Sequence, residues 1–488
     1  MEPISRRRAL QLGLLGAASL GVGGVGLWRT TTTGPRSPVG SGAVATPSQD
    51  ELIQPAVLAS QGGLLNVELT AAERVVDLAG TRANALTYGQ TVPGPTWQVR
   101  PGDRIQVRLV NELDTATNLH VHGLQVSPTG NGDNPFLVVG PGTQLDFEFQ
   151  LPDAHPPGTF WYHPHLHEHA ADQVFGGLYG AIVVADDVTV TRERVMVISD
   201  ISLTGDGSVR RPIPAERMAG REGELVLVNG QHQPRLTARP GEVERWRIVN
   251  ACTSRYLDLA IDGPGIQVLA MDAQRTPLQA ASRVLLAPGN RAELLVTARD
   301  GIGELRTVGY DRGSPMMGMM GGGATGLSGP VVLATLVADG APAASPRTPQ
   351  TPVATPDLRD RTPDRTRELT ITMGTGMGMG AMTFGFDGQA FDHRRTDQLV
   401  RSGALEQWTI RNPTRMDHPF HLHVWPMQVV EADGAALDDP TWRDVVNVPA
   451  GGHVTVLIDF TGITGRTVYH CHILDHEDLG MMGVIEVT

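Results

Sequence analysis

The sequence predicts an all-β chain built from three related domains. At roughly 150 residues per domain, a length of 488 residues suggests about three of them. Glycine (58) and proline (35) are frequent and aromatic residues are few, which favours short strands joined by turns over long helices. The third observation is a degenerate repeat, whose three copies stand about one domain length apart.

The repeat consists of a turn with glycine and then an alternating strand that ends at asparagine. Alternation of apolar and polar positions is typical of a strand buried on one face. Recurrence of this unit at domain spacing indicates three related β domains. Its copies are VRPGDRIQVRLVNE at 99–112, ARPGEVERWRIVNA at 238–251 and VRSGALEQWTIRNP at 400–413.

The domains are placed around these copies. Histidines follow the first and third copies, whereas CTSRYLDLAI follows the second, so the middle domain is expected to be structural, a spacer and brace. The stretch 339–368 has six prolines and no strand pattern, which is typical of a linker. The predicted domains are 50–188, 189–338 and 369–488.

An export signal is predicted over residues 1–45. Arg6, Arg7 and Arg8 precede a glycine-rich apolar run, which resembles a bacterial twin-arginine signal, and Ala43-Val44-Ala45 offers a cleavage site. The alternative is an uncleaved membrane anchor, which the interrupting glycines disfavour. We therefore expect a protein that is exported folded to the periplasm or cell exterior, with no stable membrane association after cleavage.

Charge and cysteine content limit the possible partners. The formal net charge of −13 argues against nucleic acid, because phosphate binding needs a basic surface. An acidic surface is compatible with a cationic substrate. The two cysteines are Cys252 and Cys471. If Cys471 binds a metal, no intramolecular disulfide is possible, and Cys252 is expected to be a buried apolar residue.

Ten of the sixteen histidines fall in four tight clusters. Every cluster contains an H-x-H, and residues i and i+2 of a strand point to the same face. Four such strands can aim eight imidazoles into one space, which no ordinary core requires because unpaired imidazole is costly to bury. The clusters are His120-Val-His122-Gly, Trp161-Tyr-His163-Pro-His165, His418-Pro-Phe-His421-Leu-His423 and His470-Cys471-His472 with His476 and Met481 beyond.

The fourth cluster indicates copper. A structural zinc ion takes four ligands, so eight histidines exceed what one zinc needs. Two histidines with Cys471 and a weak Met481 are the ligand set of a blue-copper electron-transfer site. In the order His470-Cys471-His472 the cysteine points to one strand face and both histidines to the other. A metal on the cysteine would then lie a few bonds from metals on the histidines.

Taken together, the motifs HxHG, WYHPH, HPFHLH and HCHxxxHxxxGM resemble those of three-domain multicopper oxidases, which include laccases and bacterial cuprous oxidases. The resemblance covers roughly residues 70 to 488. It implies three cupredoxin-like Greek-key β-sandwich or barrel domains and four copper ions: one type 1, one type 2 and two type 3. It also implies one-electron oxidation of a substrate coupled to four-electron reduction of dioxygen to water.

The resemblance assigns every ligand. The type 1 copper would be held by His418, Cys471, His476 and Met481. The type 2 copper would be held by His120 and His421. The type 3 coppers would be held by His122, His163 and His472 and by His165, His423 and His470.

Two acids are expected to serve proton transfer. In the family an acid follows the second type 1 histidine, and here that residue is Glu477. A second acid follows HxHG at a fixed distance, but the matching residue is Asn131. Asp133, two residues later, is expected to replace it.

Methionine clusters suggest how copper itself could be the substrate. The segments SPMMGMMGGG (314–323) and MGTGMGMGAM (373–382) combine glycine with thioethers, which select Cu(I). The alternative is flexible or adaptable packing. Met416 matches a family position for substrate Cu(I), although the acid that accompanies it is replaced by Thr414, and Asp417 should point elsewhere. The expected Cu(I) ligands are Met316, Met317, Met319, Met320 and Met416.

These observations predict a monomeric oxidase whose substrates are dioxygen and Cu(I), with a role in copper resistance. The first alternative is a laccase that oxidises phenols or aromatic amines. The non-enzymatic alternatives are a copper-binding protein and a copper-free scaffold.

Overall fold

The computed structural model describes residues 50–263, 265–314, 327–344, 356–375 and 382–488. The predicted signal, residues 1–45, lies outside these ranges. Within them the chain forms 33 strands and only short helices, so the all-β prediction is confirmed. No helix in the described ranges is both long and apolar enough to cross a membrane.

The first region has two sheets, in the strand orders β1-β4-β9-β8-β6 and β3-β2-β5-β7, and helix α1 (Ala170–Gly176). Its strands are β1 (Val57–Ala59), β2 (Leu64–Leu78), β3 (Thr81–Tyr88), β4 (Thr96–Val99), β5 (Arg104–Asn111), β6 (His120–His122), β7 (Gln144–Gln150), β8 (Gly158–His163) and β9 (Gly180–Val184).

The second region has two large sheets, β11-β10-β13-β18-β15-β16 and β12-β22-β19-β14-β17, the hairpin β20-β21 and helix α2 (Pro214–Ala219). Its strands are β10 (Arg192–Ile201), β11 (Leu225–Val228), β12 (Arg235–Ala238), β13 (Val243–Asn250), β14 (Leu257–Ile261), β15 (Gly265–Met271), β16 (Gln274–Ala281), β17 (Val284–Leu286), β18 (Arg291–Thr297), β19 (Gly301–Val308), β20 (Tyr310–Asp311), β21 (Leu327–Ser328) and β22 (Val331–Ala338).

The third region begins with a 3-10 turn (Leu358–Asp360) and has the sheets β24-β23-β26-β31-β28-β29 and β25-β33-β32-β27-β30, with helix α3 (Leu474–Asp478). Its strands are β23 (Arg365–Thr375), β24 (Met382–Phe386), β25 (Gln398–Val400), β26 (Leu405–Arg411), β27 (His418–Leu422), β28 (Met427–Ala432), β29 (Ala435–Arg443), β30 (Val445–Val448), β31 (His453–Asp459), β32 (Gly465–Cys471) and β33 (Met482–Val487). Strand β23 begins inside the predicted linker; the domain bounds themselves stay a prediction.

The three repeat copies occupy equivalent places. Strands β5, β13 and β26 each pair in parallel with the first strand, in chain order, of their own sheet: β2, β10 and β23, respectively. Each also pairs antiparallel with a later strand, β7, β18 or β31. The turn glycines Gly102, Gly241 and Gly403 have φ of +84°, +87° and +77°, a conformation that side chains disfavour.

The asparagine that ends each copy is a buried clamp. Asn111 donates through Nδ2 to the carbonyls of Thr115 and Val139, at 2.9 Å each. Asn412 does the same with Met416 and Val448, at 2.8 and 2.9 Å. In the middle copy, the acceptors of Asn250 are the carbonyls of Arg255 and Leu286. Each clamp fixes the loop that leads into the next strand: β6, β14 or β27.

Apolar residues from the facing sheets fill one core in each region. A fourth cluster joins regions, because it contains Ala83 of the first, Val197 and Val249 of the second, and Leu474 of the third. One H-x-H motif lies within β6, and the other three begin in β8, β27 and β32 and end one or two residues beyond these strands. All four motifs therefore belong to regions held together by buried apolar contacts.

Candidate metal centres

Eight histidines from the first and third regions converge in one buried space, which we call the eight-histidine cluster. Strand β6 pairs with β8, placing His120 opposite His163. Strand β27 pairs with β32 in the same way, placing His421 opposite His470. The members of the cluster, each at most 2% exposed, are His120, His122, His163, His165, His421, His423, His470 and His472.

One side of the cluster is a tight triangle of nitrogens. The Nε2 atoms of His165, His423 and His470 lie 3.0, 3.1 and 3.2 Å from one another. A point equidistant from all three is about 1.8 Å from each, close to the roughly 2.0 Å of a metal–imidazole bond. Three imidazole nitrogens that point at one another cannot all be paired by hydrogen bonds. One metal ion between them could bind all three.

Two further groups complete the cluster. His122, His163 and His472 place one nitrogen each within 4.8 Å of the others, and so do His120, His122 and His421. These groupings contain the histidines predicted for the three copper sites of the cluster, and His122 belongs to two of the groupings. The structure brings together every histidine predicted for them.

The outer nitrogens of several histidines have partners, while the inner ones have none in the described structure. Nδ1 of His120 faces the Asp133 carboxylate at 2.8 Å, and Nδ1 of His163 donates to the carbonyl of Pro164 at 2.8 Å. Nδ1 of His421 donates to the carbonyl of Asp444 at 2.7 Å. The inward Nε2 atoms of these three histidines are buried without a hydrogen bond. Such outer contacts fix the tautomer that leaves Nε2 free to bind a metal.

Burial keeps these imidazoles neutral. Desolvation lowers the pKa of His163 to about 3 and of His165 to about 4. It lowers the pKa of His120 and His423 well below the ordinary value as well. A neutral imidazole is the form that binds a metal ion.

A second site, which we call the thiol site, lies across strand β32. Sγ of Cys471 is 3.5 Å from Nδ1 of His418 and 3.8 Å from Nδ1 of His476. Met481 is completely buried, and its backbone N–H donates to the carbonyl of His476 at 2.8 Å. The backbone N–H of Cys471 in turn donates to the carbonyl of Met481. The four predicted type 1 residues are thus tied together.

The other ring nitrogens of the thiol site are also occupied. Nε2 of His418 lies 3.0 Å from Oγ1 of Thr414, and Nε2 of His476 donates to the carbonyl of Met218 at 3.1 Å. Nδ1 of both histidines therefore faces the thiol. Desolvation raises the pKa of the Cys471 thiol, so binding a metal there would release its proton.

Strand β32 connects the two sites as predicted. Its alternation turns Cys471 toward the thiol site and sends His470 and His472 into different groups of the eight-histidine cluster. Few covalent bonds separate Sγ from either ring. An electron that arrives at the thiol has a short bonded path to both groups.

Both predicted acids lie against the cluster. Glu477 is completely buried, with Oε2 3.1 Å from Nδ1 of His470 and Oε1 3.6 Å from Nδ1 of His165. Asp133 is buried beside His120, and desolvation raises its pKa to about 8. Asn131 is exposed and donates to the carbonyl of Asp146, so the carboxylate at this place belongs to residue 133.

The predicted methionine ligands divide into two sets. Met316, Met317, Met319 and Met320 lie outside the described residues. Met416 is completely buried and forms a backbone bridge with Gly313. Its role as a ligand of substrate copper stays a prediction. Asp417 accepts from Tyr310 and from Asn447, and it therefore points away from the thiol site, as expected.

The sequence patterns did not predict the contacts of four contributors to the sites: the clamping asparagine, Thr414, Asp444 and Arg291. The clamping asparagine was visible as the last residue of each repeat copy, but its side-chain contacts were not. Thr414 was noted only as the replacement for an acid. Asp444 and Arg291 carry no motif, and their place beside the histidines follows only from the packing of the three regions.

Comparisons with known proteins agree on one family. Three family models described as multicopper oxidase match residues 70–189, 208–304 and 359–488. The multicopper oxidase mco of Staphylococcus aureus is 26% identical over 431 residues, covering 84% of this chain and 85% of that protein. A laccase of Haloferax volcanii is 27% identical over 556 aligned positions, covering 99% of this chain and 90% of that protein.

A solved structure gives the same result for the fold. The multicopper oxidase of Campylobacter jejuni, described as a metallo-oxidase, superposes with a TM-score of 0.79 and 28% identity. The match covers 91% of this chain and 96% of that one. The cupredoxin-type fold expected from the motifs is confirmed.

Proposed function

Because the chain belongs to the multicopper oxidase family, we propose that it is a cuprous oxidase that couples the oxidation of Cu(I) to the four-electron reduction of dioxygen to water. Its membership makes it a copper-dependent oxidoreductase that uses dioxygen and a reducing substrate. Copper supplies one-electron redox chemistry at the thiol site and dioxygen reduction at the eight-histidine cluster. Family membership does not specify the reducing substrate, and Cu(I) as that substrate is our proposal.

The observed groupings support one type 1, one type 2 and two type 3 ions. His418, Cys471, His476 and Met481 would hold the first, and His120 with His421 the second. The two type 3 ions would be held by two histidine triads: His122, His163 and His472, and His165, His423 and His470. The support is that the donor atoms of each triad lie within 4.8 Å of one another, and that the inward nitrogens of His120 and His421 have no other partner among the described residues.

The chain's own residues move electrons and protons between these places. Cys471 joins the thiol site to His470 and His472 through bonds of a single strand. Burial alone would raise the pKa of Glu477, but His165 and His470 lower it to about 2, so its ionised carboxylate can accept a proton beside the cluster and pass it on. Complete burial of the cluster excludes bulk water, which favours full reduction of dioxygen over release of partly reduced species.

The observation that carries the choice of Cu(I) is the anchoring of both methionine-rich segments near the thiol site. Hairpin β20-β21 lies at the two ends of the first segment, and next to it the N–H of Asp417 donates to the carbonyl of Arg312 at 2.7 Å. Hairpin β23-β24 flanks the second, and its Phe384 ring lies 5.2 Å from the ring of His476. The described residues that flank both segments thus lie near the two histidines proposed to hold the type 1 copper, and the sequence between those residues is rich in soft thioether donors that select Cu(I).

A laccase activity has its own support. The half-exposed group against His418 is the hydroxyl of Thr414, which is neutral. The nearest acid in sequence, Asp417, is already occupied by Tyr310, Asn447 and the N–H of Ala450. A neutral hydroxyl can hydrogen-bond to a phenol and does not specifically attract a cation. Phenol oxidation is therefore the second candidate.

Oxygen consumption separates the two candidates. We would compare Cu(I) and a phenol as substrates of the copper-loaded protein and of a variant with Met316, Met317, Met319 and Met320 changed to leucine. Leucine keeps the size and removes the sulfur. A cuprous oxidase should lose Cu(I) oxidation, through a raised KM, and keep phenol oxidation.

A matched control changes Met196 and Met271, which are buried in the second region, to leucine and should alter neither substrate. Equal losses on both substrates, or none, would overturn the choice of Cu(I). Full copper loading without blue colour or oxygen consumption would overturn the oxidase itself.

The place of action is also a proposal. The twin-arginine pattern at Arg6, Arg7 and Arg8 supports folded export to the periplasm or cell exterior, and a monomer is the expected form. Changing Arg6 and Arg7 to lysine should leave the protein in the cytoplasm, as fractionation of cells would show.

A further inference from the structure

The second region was expected to serve only as a spacer and brace, yet it sends a charged side chain into the centre of the molecule. Arg291, the first residue of β18, is completely buried. Its Nη1 and Nη2 donate to Oδ1 and Oδ2 of Asp444, at 2.6 Å each. Its Nε donates to the carbonyl of Thr159 at 3.2 Å, and Asp272 accepts from its backbone N–H at 2.9 Å. This arginine therefore contacts all three regions.

Asp444 carries this contact to the histidines. Its Oδ1 lies 3.4 Å from Nε2 of His122, and its backbone carbonyl accepts from Nδ1 of His421 at 2.7 Å. The imidazole of His122 has no other hydrogen-bond partner among the described residues, and its Nδ1 is buried without one. For His122 the outward nitrogen is thus Nε2, the reverse of His120, His163 and His421.

Two glycines leave space for this arrangement. A Cβ on Gly123 would lie 2.4 Å from Oδ2 of Asp444 and 2.5 Å from Nη2 of Arg291. A Cβ on Gly289 would lie 2.8 Å from the ring of His472. The loop before β18 is therefore part of the wall of the eight-histidine cluster, and the glycine of HxHG accommodates the ion pair.

We infer that Arg291 is a positioning residue of the eight-histidine cluster, acting through Asp444 to hold His122 with Nδ1 toward the metal. This inference rests on the proposed function, because it assumes that the cluster binds copper. The bidentate fork fixes the plane of the Asp444 carboxylate, which a point charge could not do. The oriented carboxylate then selects the ring orientation and tautomer of His122.

The test uses the copper-loaded full-length protein with Arg291→Lys, which keeps the charge and removes the fork. We expect the blue colour of the thiol site to remain, while the near-ultraviolet absorption of the type 3 pair weakens and the bound copper per chain falls. Oxygen consumption should fall by roughly 10- to 100-fold, the usual effect of losing an outer-sphere partner. Asp444→Asn should reproduce the same spectrum, and it provides a second route if Arg291→Lys folds poorly.

Arg245→Lys is the matched control. Arg245 is equally buried and pairs with Asp186, Glu193 and Glu293, none of which contacts a member of the cluster in the described structure. We expect this variant to keep both absorption bands and its copper. An unchanged type 3 band in Arg291→Lys and Asp444→Asn, or an equal loss in Arg245→Lys, overturns the inference. Failure of the proposed function is distinguishable, because the unmodified protein itself would then show neither blue colour nor oxygen consumption.

Discussion

Oγ1 of Thr414 lies 3.0 Å from Nε2 of His418, so a neutral hydroxyl contacts the outer nitrogen of a thiol-site histidine. Because Nδ1 of His418 faces the Cys471 thiol, Nε2 carries the hydrogen and donates it to the threonine. The hydroxyl in turn donates a hydrogen bond to Oδ1 of Asn412, at 2.7 Å. These two hydrogen bonds fix the orientation of the Thr414 hydroxyl beside His418.

Replacing Thr414 with aspartate is expected to lower the reduction potential of the thiol site. A carboxylate beside His418 stabilises the more positive, oxidised copper state. It should also favour Cu(I) over a phenol as substrate, because it attracts a cation. Redox titration and oxygen consumption with both substrates measure these effects. Thr409→Asp, at a residue of β26 whose hydroxyl pairs with that of Thr455, should leave the potential unchanged. An equal shift in that variant would contradict a local effect of residue 414.

Replacing Cys471 with serine should abolish the blue colour and oxygen consumption while leaving the eight-histidine cluster able to bind copper. Serine cannot supply the thiolate that defines a blue site and begins the bonded path to His470 and His472. Copper analysis should give about three ions per chain rather than about four. Cys252→Ser is the control, since that buried thiol lies 3.8 Å from the carbonyl of Ile198 and contacts neither site. Retained blue colour in Cys471→Ser would refute the assignment.

Glu477→Gln should slow dioxygen reduction without altering the thiol site. The amide keeps the shape of the carboxyl but cannot hold a proton next to His470 and His165. A loss of about 100-fold is typical when a positioned acid or base is removed. Rapid mixing would show normal reduction of the blue centre followed by slow reoxidation with dioxygen. Glu431→Gln, whose carboxyl pairs with His453 away from both sites, should behave as the unmodified protein. Unchanged reoxidation in Glu477→Gln would exclude a proton-transfer role.

The copper-free protein should lose stability as the pH falls from about 6.5 toward about 4. Burial lowers the pKa of His163 and His418 to about 3 and of His165 to about 4 in the folded chain. Between those values and the unfolded value of about 6.5, the unfolded chain binds more protons, so unfolding is favoured by up to about 1.4 kcal/mol per pH unit for each such histidine. Urea midpoints at several pH values measure this slope. His393→Asn removes an exposed histidine and should leave it unchanged, whereas a flat profile would contradict the burial argument.

The asparagine clamps allow a comparison within one chain. Asn412→Ala removes three side-chain hydrogen bonds to backbone carbonyls and Asn250→Ala removes two, and each should destabilise the protein by about 1–3 kcal/mol. Only Asn412 holds the loop before His418, so only its replacement should broaden the blue absorption band. Equal spectra in both variants would show that the clamp does not determine the thiol site.

The sequence was sufficient for the strand periodicity, the repeat and the gathering of the histidines. Because residues i and i+2 of a strand point to the same face, each H-x-H motif predicts two histidines that point the same way. Four such motifs then predict one space shared by eight histidines. The relation of Cys471 to its neighbours followed from the same rule. These features are local, and local geometry is what a sequence pattern carries.

Contacts made by single residues across regions could not be predicted in this way. Arg291 and Asp444 are 153 positions apart, and neither belongs to a recognisable spacing. Asp133 was offered as a replacement for Asn131, but only the loop conformation shows its carboxylate against His120. The role of the middle region was underestimated for the same reason, because its reach into the cluster depends on docking rather than on its own pattern.

The ligands of the eight-histidine cluster come from two stretches, one ending at His165 and the other beginning at His421. Each metal group of the cluster therefore combines histidines from both stretches. A fragment that lacks either stretch cannot assemble any of these groups, so neither the first nor the third region forms the eight-histidine cluster by itself.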